Sequence, residues 1–357
     1  MTCRACGSDR LVLVFEMDPM PLAGAFAVTR EAALAATRHP LEWHRCRDCG
    51  LVNVWPSIPE DVIFGDYSYR ASDVPALVRH HRAFARWLVE RFPETRRMLD
   101  IGGNDGVLLR ELPDRWERTN SDPSDVALDC GFPVLPAWSS ALGRAHRGEY
   151  ALITSSNAFG HFDGLGDALD GVREALATGG AFVMEVHDLA ATLDGQWDTV
   201  YHEHRAEWSL PSLHAAGAIH GLRLVDHERL PLHGGLLRAT FVKDTPRRPT
   251  APPAPDFRPL VEKYRARSPL GATLAYGAAA RGTVYLNQVP EQVRFVVDAS
   301  PRRAGRYVPG TGTPIVSPHE FDRVVSSRDR VLITAWPHAA DIRAAHPDMP
   351  GEWVTAW

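Results

Sequence analysis

Apolar residues recur at helical spacing across positions 76–92 (ALVRHHRAFARWLVERF), which predicts an amphipathic helix. The pattern then changes. Met98-Leu99-Asp100-Ile101 reads as a strand, Gly102-Gly103-Asn104-Asp105-Gly106 as a turn, and Val107–Leu112 as the start of a helix. Tyr150–Thr154 and Ala181–Val186 read as further strands, with a helix over Leu165–Ala177 between them. Strands alternating with helices predict an α/β protein with a doubly wound parallel sheet. Residues 246–259 (PRRPTAPPAPDFRP) hold six prolines and read as a semi-rigid linker. Beyond it, Ala275–Gly282, Val293–Asp298 and Val331–Trp336 alternate with helical stretches, predicting a second, smaller α/β unit. The expected division is 1–75, 76–245 and 246–357.

Composition narrows the class. The 357 residues are 45% hydrophobic and 23% charged, enough for more than one core and unlike a disordered chain. The net charge of −5 gives no electrostatic footprint for nucleic acid. Only Lys243 and Lys263 are lysines, so the abundant arginines reflect a compositional bias and not a phosphate-binding patch. No apolar run reaches the ~18 residues of a membrane span, and the N-terminus carries no apolar leader. The expectation is a cytoplasmic, soluble monomer without a membrane or nucleic-acid partner.

Four of the five cysteines form two Cys-x-x-Cys pairs, Cys3/Cys6 and Cys46/Cys49, each followed by glycine (Gly7, Gly50). Two thiolates on each of two knuckles match the soft tetrahedral ligand set of zinc. Redox pairs or loose thiols are the alternative. A site closed by four sulfurs leaves no open position for catalysis, so its role is structural. Cys130 stands apart and reads as a small core residue.

The turn at 102–106 is neither G-x-G-x-x-G nor a P-loop, which disfavours NAD and ATP. An acid at the strand end, Asp100, and a second about 20 residues on, Asp122, suit an adenosine whose ribose hydroxyls a carboxylate accepts. S-adenosylmethionine (SAM) fits, and so does another adenosine ligand. The segment Asp198-Thr199-Val200-Tyr201-His202-Glu203-His204 concentrates titratable groups, with Asn157, His161, His233 and Arg238 also falling just after predicted strands. Three readings stand: ordinary hydrogen-bonded histidines, a metal site through His161, His202 and His204, or general acid–base chemistry by a histidine titrating near neutrality.

Taken together the motifs resemble the sugar C-methyltransferases. The resemblance runs almost end to end. It rests on Cys-Arg-x-Cys-Gly at 3–7, Pro21-Leu22-Ala23-x-x-Phe26, Cys46-x-x-Cys49-Gly50-Leu51-Val52, Tyr67-Ser68-Tyr69-Arg70-Ala71-Ser72 and Ile101–Gly106. It continues through Asn157-x-x-x-His161, Tyr201–His204, His233-Gly234-Gly235-x-x-Arg238, Tyr276–Gly282 and Pro309-Gly310. The resemblance implies a zinc-binding domain, a class I methyltransferase domain and a C-terminal domain that grips a nucleotide sugar. It implies a SAM pocket of Asp100, Gly102, Asn104, Asp105, Gly106, Asp122, Ser124 and Asn157. It further implies methylation at C3 of a dTDP-linked 4-keto-deoxysugar in antibiotic biosynthesis. His204 would be the base, with Tyr201 and His161 as donors to the enolate and Glu203 orienting substrate or base. Tyr67 or Tyr69 would close the site. Substrate contacts would extend to His233 and Arg238, with Arg281 and Arg303 on the phosphates. The chain departs from the family pattern at Gly103, at Asp122, at Ala279 and Arg281 of the C-terminal glycine motif, and in a shortened stretch between Arg238 and Gly271. These departures leave room for a different nucleotide sugar, or for a non-sugar ketone or hydroxyl substrate.

Overall fold

Two glycine-ended knuckles shape the start of the chain. Gly7 and Gly50 adopt φ of +71° and +80°, and their amides donate to the carbonyls of Cys3 and Cys46 at 2.9 and 3.0 Å. A residue without Cβ enters this left-handed region freely, so the two turns can face each other. The knuckles flank an antiparallel sheet of β1 (Leu11–Met20), β2 (His39–Cys46) and β3 (Val52–Trp55). These assignments come from a computed structural model that describes residues 1–59, 62–63 and 69–357.

The central sheet comprises β4 (Arg97–Ile101), β5 (Glu117–Ser121), β6 (Val134–Leu135), β7 (Tyr150–Ser156) and β8 (Leu176–His187). After β8, the short β9 (Ala206–Glu207) leaves this sheet and pairs with β3, giving the first sheet its fourth strand. The chain then returns as β10 (Leu222–Leu230) and β11 (Leu236–Lys243). The central order is β10-β11-β8-β7-β4-β5-β6, parallel from β8 to β6 and antiparallel across β10, β11 and β8.

Successive strand residues face opposite layers. Leu99, Ile153, Phe182 and Met184 pack with the helix Leu165–Ala175, whereas Met98, Leu152 and Val183 pack with the helix Pro75–Arg91. This period of two, with helices on both faces, is the doubly wound α/β fold expected from the sequence. The chain runs outward from β4 to β6 and then crosses to β7 on the other side. The carboxyl ends of β4 and β7 therefore flank a topological switch point, the usual ligand crevice of such sheets.

The C-terminal unit is a five-stranded parallel sheet of β12 (Leu274–Tyr276), β13 (Val296–Val297), β14 (Ile315–Val316), β15 (Arg330–Ile333) and β16 (Glu352–Thr355), ordered β14-β13-β12-β15-β16. The three units share packing. Phe15 and Trp43 of the first sheet, Trp197 and Val200 before the histidine segment, and Tyr264 and Tyr285 of the C-terminal unit lie in one buried cluster. Ala27 and Tyr307 exchange backbone hydrogen bonds at 3.1 and 2.9 Å, clasping the N-terminal unit to the C-terminal one. The proline-rich stretch forms no helix or strand before Arg258 and crosses beside the cysteine knuckle. There the carbonyls of Pro252 and Pro253 accept the Arg45 guanidinium at 2.6 and 3.0 Å. No helix among the described residues is long and apolar enough to cross a membrane.

Candidate active site and zinc centre

The four cysteine sulfurs lie within 4.8 Å of one another, with Cys3–Cys49 at 3.5 Å and Cys6–Cys46 at 3.6 Å. These separations exceed a disulfide bond and approach the ~3.8 Å sulfur–sulfur edge of a tetrahedron with Zn–S of about 2.3 Å. The Asn53 amide points at Cys3 Sγ at 3.7 Å, and the Arg45 guanidinium lies beside Cys46 and Cys49, so thiolate charge is met on both sides. The donor set fits zinc. Among the described residues this is the one group of three or more His, Cys, Asp or Glu placed to share an ion. A histidine metal site therefore finds no support. His202 is turned away, its Nε2 donating to the Pro40 carbonyl at 2.9 Å.

The cofactor residues collect at the carboxyl ends of β4, β5 and β7. Gly102 (φ +72°), Asn104 (+50°) and Gly106 (+77°) turn the chain back after β4, and a Cβ on Gly102 would lie 2.3 Å from that of Ala158. Asn104 is the keystone: its amide donates to Asp122 Oδ2 at 2.9 Å and its side chain holds Tyr69 O and Ala71 N at 3.0 and 2.9 Å. Asp122 Oδ1 accepts the Ser124 amide and hydroxyl. A carboxylate offers about four acceptor positions, so room for ribose hydroxyls remains. Asp100 accepts the Thr154 hydroxyl at 2.7 Å, and burial pushes its carboxyl up to about 7, assisted by the charges of Asp122 and Glu185. Asp105 Oδ1 is buried with no hydrogen-bond partner, a spare acceptor in the loop. Asn157 ends β7 at φ +59°, its amide donating to the Glu185 carbonyl. A glycine-lined turn, a spare buried acceptor and a carboxylate at the end of the next strand fit SAM. Gly103 leaves space that the Asn120 side chain fills: Oδ1 accepts the Gly103 amide and Nδ2 donates to Asn104 O. A Cβ at 103 would lie 2.5 Å from that Oδ1.

Beyond the sheet edge, the segment 201–204 turns between a short 3-10 helix (Trp197–Thr199) and β9. Tyr201 Oη and His204 Nε2 are 2.6 Å apart, with ring centroids at 4.1 Å. His204 Nδ1 faces Glu207 Oε1 at 3.3 Å, and the other carboxylate oxygen meets His187 Nδ1 at 3.2 Å. Burial raises the Glu207 carboxyl, but the two imidazoles more than offset it and bring it to about 2. Burial, with the Glu203 charge, lifts the Tyr201 phenol well above its ordinary value. The Glu203 carboxyl is also raised by burial; its Oε1 accepts the Gly24 amide at 2.9 Å, whereas Oε2 has no partner.

His161 lies 5.2 Å from His204, ring to ring, and its Nδ1 donates to the Glu203 carbonyl at 2.6 Å. Burial and the nearby His204 lower its pKa to about 4, so it is neutral at pH 7 with that one proton committed to the loop. Through Nδ1 it is tied to the loop that carries His204.

The other expected substrate residues divide. Arg238 is 5% exposed and donates to Glu185 at 2.7 and 2.9 Å and to Glu228 at 2.8 Å, its guanidinium lying over the rings of Phe84 and Trp87. Its donors are engaged within the sheet, by Glu185 of β8 and Glu228 of β10. Arg281 pairs with Asp198 at 3.3 Å, donates to the His233 carbonyl and stacks on Trp336, contacts that fasten two units. Arg303 donates to Asp298 at 2.8 Å and remains part-exposed near Phe26. His233 takes φ +53° beside His338, and burial with that neighbour lowers it to about 3. Burial raises Tyr69 to about 12 despite the Arg303 charge nearby. Tyr67 lies outside the described residues. Sequence reasoning missed Glu207 and His187. His187 ends β8, so the strand-end rule that singled out Asn157 would have found it.

Three domain families match in series: a zinc binding domain over residues 3–64, a methyltransferase domain over 71–227 and a C-methyltransferase C-terminal domain over 256–356. Fold, cysteine cluster and cofactor edge define a SAM-dependent methyltransferase with a structural zinc centre. The C-methyltransferase NovU of Streptomyces niveus is 30% identical over 382 residues, spanning 95% of this chain and 90% of that one, and the chain belongs to this C-methyltransferase family. Matches among solved structures include Streptomyces venezuelae DesVI (18% identity, 48% of this chain and 99% of that chain, TM-score 0.37). Another is the Burkholderia thailandensis 1,6-didemethyltoxoflavin-N1-methyltransferase with bound 1,6-didemethyltoxoflavin and S-adenosylhomocysteine (16%, 57% and 96%, TM-score 0.39).

Proposed function

We propose that this C-methyltransferase acts on C3 of a dTDP-linked 4-keto-deoxysugar in antibiotic biosynthesis, with His204 as the base. The observation that carries the reading is the 2.6 Å contact between Tyr201 Oη and His204 Nε2, which pairs a proton donor with a proton acceptor. A ketone acidifies the adjacent C–H. As the ketone enters, the Tyr201 O–H turns from His204 to the carbonyl oxygen, and the freed Nε2 takes the C3 proton. The C3–H bond breaks, its electron pair enters the enolate, and Tyr201 stabilises the charge from a position fixed in advance. Glu203, with one oxygen anchored by Gly24 and the other without a partner, is the acceptor for a sugar hydroxyl. SAM would be held by Asp100, Asn104, Asp105, Asp122 and Ser124 around the 102–106 turn, and would supply an activated methyl group. Tyr69, fixed to the cofactor turn through Asn104, shields the crevice from one side. Arg303, part-exposed and close enough to Tyr69 to act on its phenol, is the candidate cation for a diphosphate.

The test is mass spectrometry with a panel of dTDP-4-keto-deoxysugars and SAM. The expected product is one methylene heavier, with NMR placing the new methyl on C3. A methyl at another carbon, or turnover of only non-sugar ketones, would overturn the proposal.

A further inference from the structure

Glu207 is fully buried on β9, and its two oxygens face two imidazoles, His204 at 3.3 Å and His187 at 3.2 Å. An ionised carboxylate only accepts, so an Nδ1 lone pair turned toward it would be repelled. The 3.3 Å contact is not aligned as a hydrogen bond, but the carboxylate's charge favours the neutral His204 proton on Nδ1, with the Nε2 lone pair toward Tyr201. We infer that Glu207 is a positioning residue that fixes the His204 tautomer and stabilises the imidazolium formed when His204 accepts a proton. The inference rests on the reading of His204 as the base.

The surroundings support a single anionic partner. The titratable and charged groups facing this pair are Tyr201, Glu203, His161, His187 and Arg205, with Arg281 and Tyr69 further out. Glu203 is anchored on the Gly24 amide, and Arg205 pairs with Asp163. This leaves Glu207 as the carboxylate that touches His204. One carboxylate shared by two imidazoles compensates one added proton. Glu207 also pairs across the sheet with Val52, six residues after Cys46. The cysteine-pinned sheet thus fixes the carboxylate that fixes the base.

The experiment is the pH dependence of kcat for the intact protein, with zinc and SAM, using dTDP-4-keto-6-deoxyglucose and following deuterium exchange at C3. Glu207→Gln is expected to lower the plateau rate at least about tenfold, because a weaker base accepts the proton less readily. It should also move the acidic limb down by roughly one pH unit, because loss of the anion lowers the imidazole pKa. Glu207→Asp should restore the limb position. A Gln variant with reduced rate but an unmoved limb would mean a merely structural role and would overturn the inference. His204→Ala is run alongside. If it keeps exchange, the base assignment itself fails; if it loses exchange while Glu207→Gln behaves as the parent, only the Glu207 inference fails. Nitrogen-15 NMR of histidine-labelled parent protein, with His204 assigned by His204→Gln, gives a readout independent of variant folding. An Nδ1–H tautomer is expected, and an Nε2–H tautomer would overturn the inference.

Discussion

Single residues here answer to burial first and charge second. Glu185 is fully buried; that burial raises its carboxyl, but His80 and Arg238 outweigh it and hold it at about 2. Its folded-state value is depressed, so the stabilisation is fully present above the ordinary carboxylate range and is lost as pH falls toward 2. Arg238→Met leaves that carboxylate with His80 alone of those two charged partners. A loss of about 3–5 kcal/mol at neutral pH is expected, since breaking a buried pair costs that much. The deficit should shrink below about pH 4, where Glu185 in the variant takes up a proton. Denaturant titrations across pH check both; an unchanged stability with weakened sugar binding would return Arg238 to the substrate. Arginine in a conserved-looking motif reads the same from sequence whether it meets phosphate or a buried glutamate. Only the partner decides, and the partner is over fifty residues away in Glu185.

Among elements, what was legible follows from periodicity. The helix expected over 76–92 is found at Pro75–Arg91, and the strand expected over 98–101 at Arg97–Ile101. Each has a pattern that few alternatives share. The hairpin β10–β11 was not anticipated. β10 alternates weakly, with charged Arg223, Asp226, Glu228 and Arg229 along an edge that is largely exposed. Two-residue β9 has no period at all, and its pairing with β3 is a purely tertiary event. That pairing couples the zinc centre to the histidine segment. Removing zinc with a chelator, or Cys46→Ser, is expected to release the metal, one ion per chain, and lower the melting temperature. Deuterium exchange into the β1–β3 and 201–207 amides should then rise together. Protection lost in the first sheet alone would contradict the coupling.

For the whole molecule, the three units act as one because charged pairs and a shared core cross their boundaries. Asp198, just ahead of Tyr201, accepts Arg281 and the Trp336 indole N–H at 3.1 Å. Its carboxyl is raised by burial in spite of these partners. Asp198→Ala strands a buried guanidinium between two units, and a loss of about 3 kcal/mol or more is expected. Limited proteolysis in the proline-rich 246–257 stretch should quicken as the C-terminal unit loosens; parent-like resistance would count against the latch. Domain succession along the chain was readable from composition and motif. The interlocking was not, because Asp198 and Arg281 are separated by the linker and carry no joint pattern. The central claim is that His204 removes a proton from carbon at the crevice those units enclose. Incubation of a dTDP-4-keto-deoxysugar in heavy water without SAM tests it most directly: the account predicts deuterium at C3 with the parent protein and none with His204→Ala, and exchange persisting in that variant would contradict it.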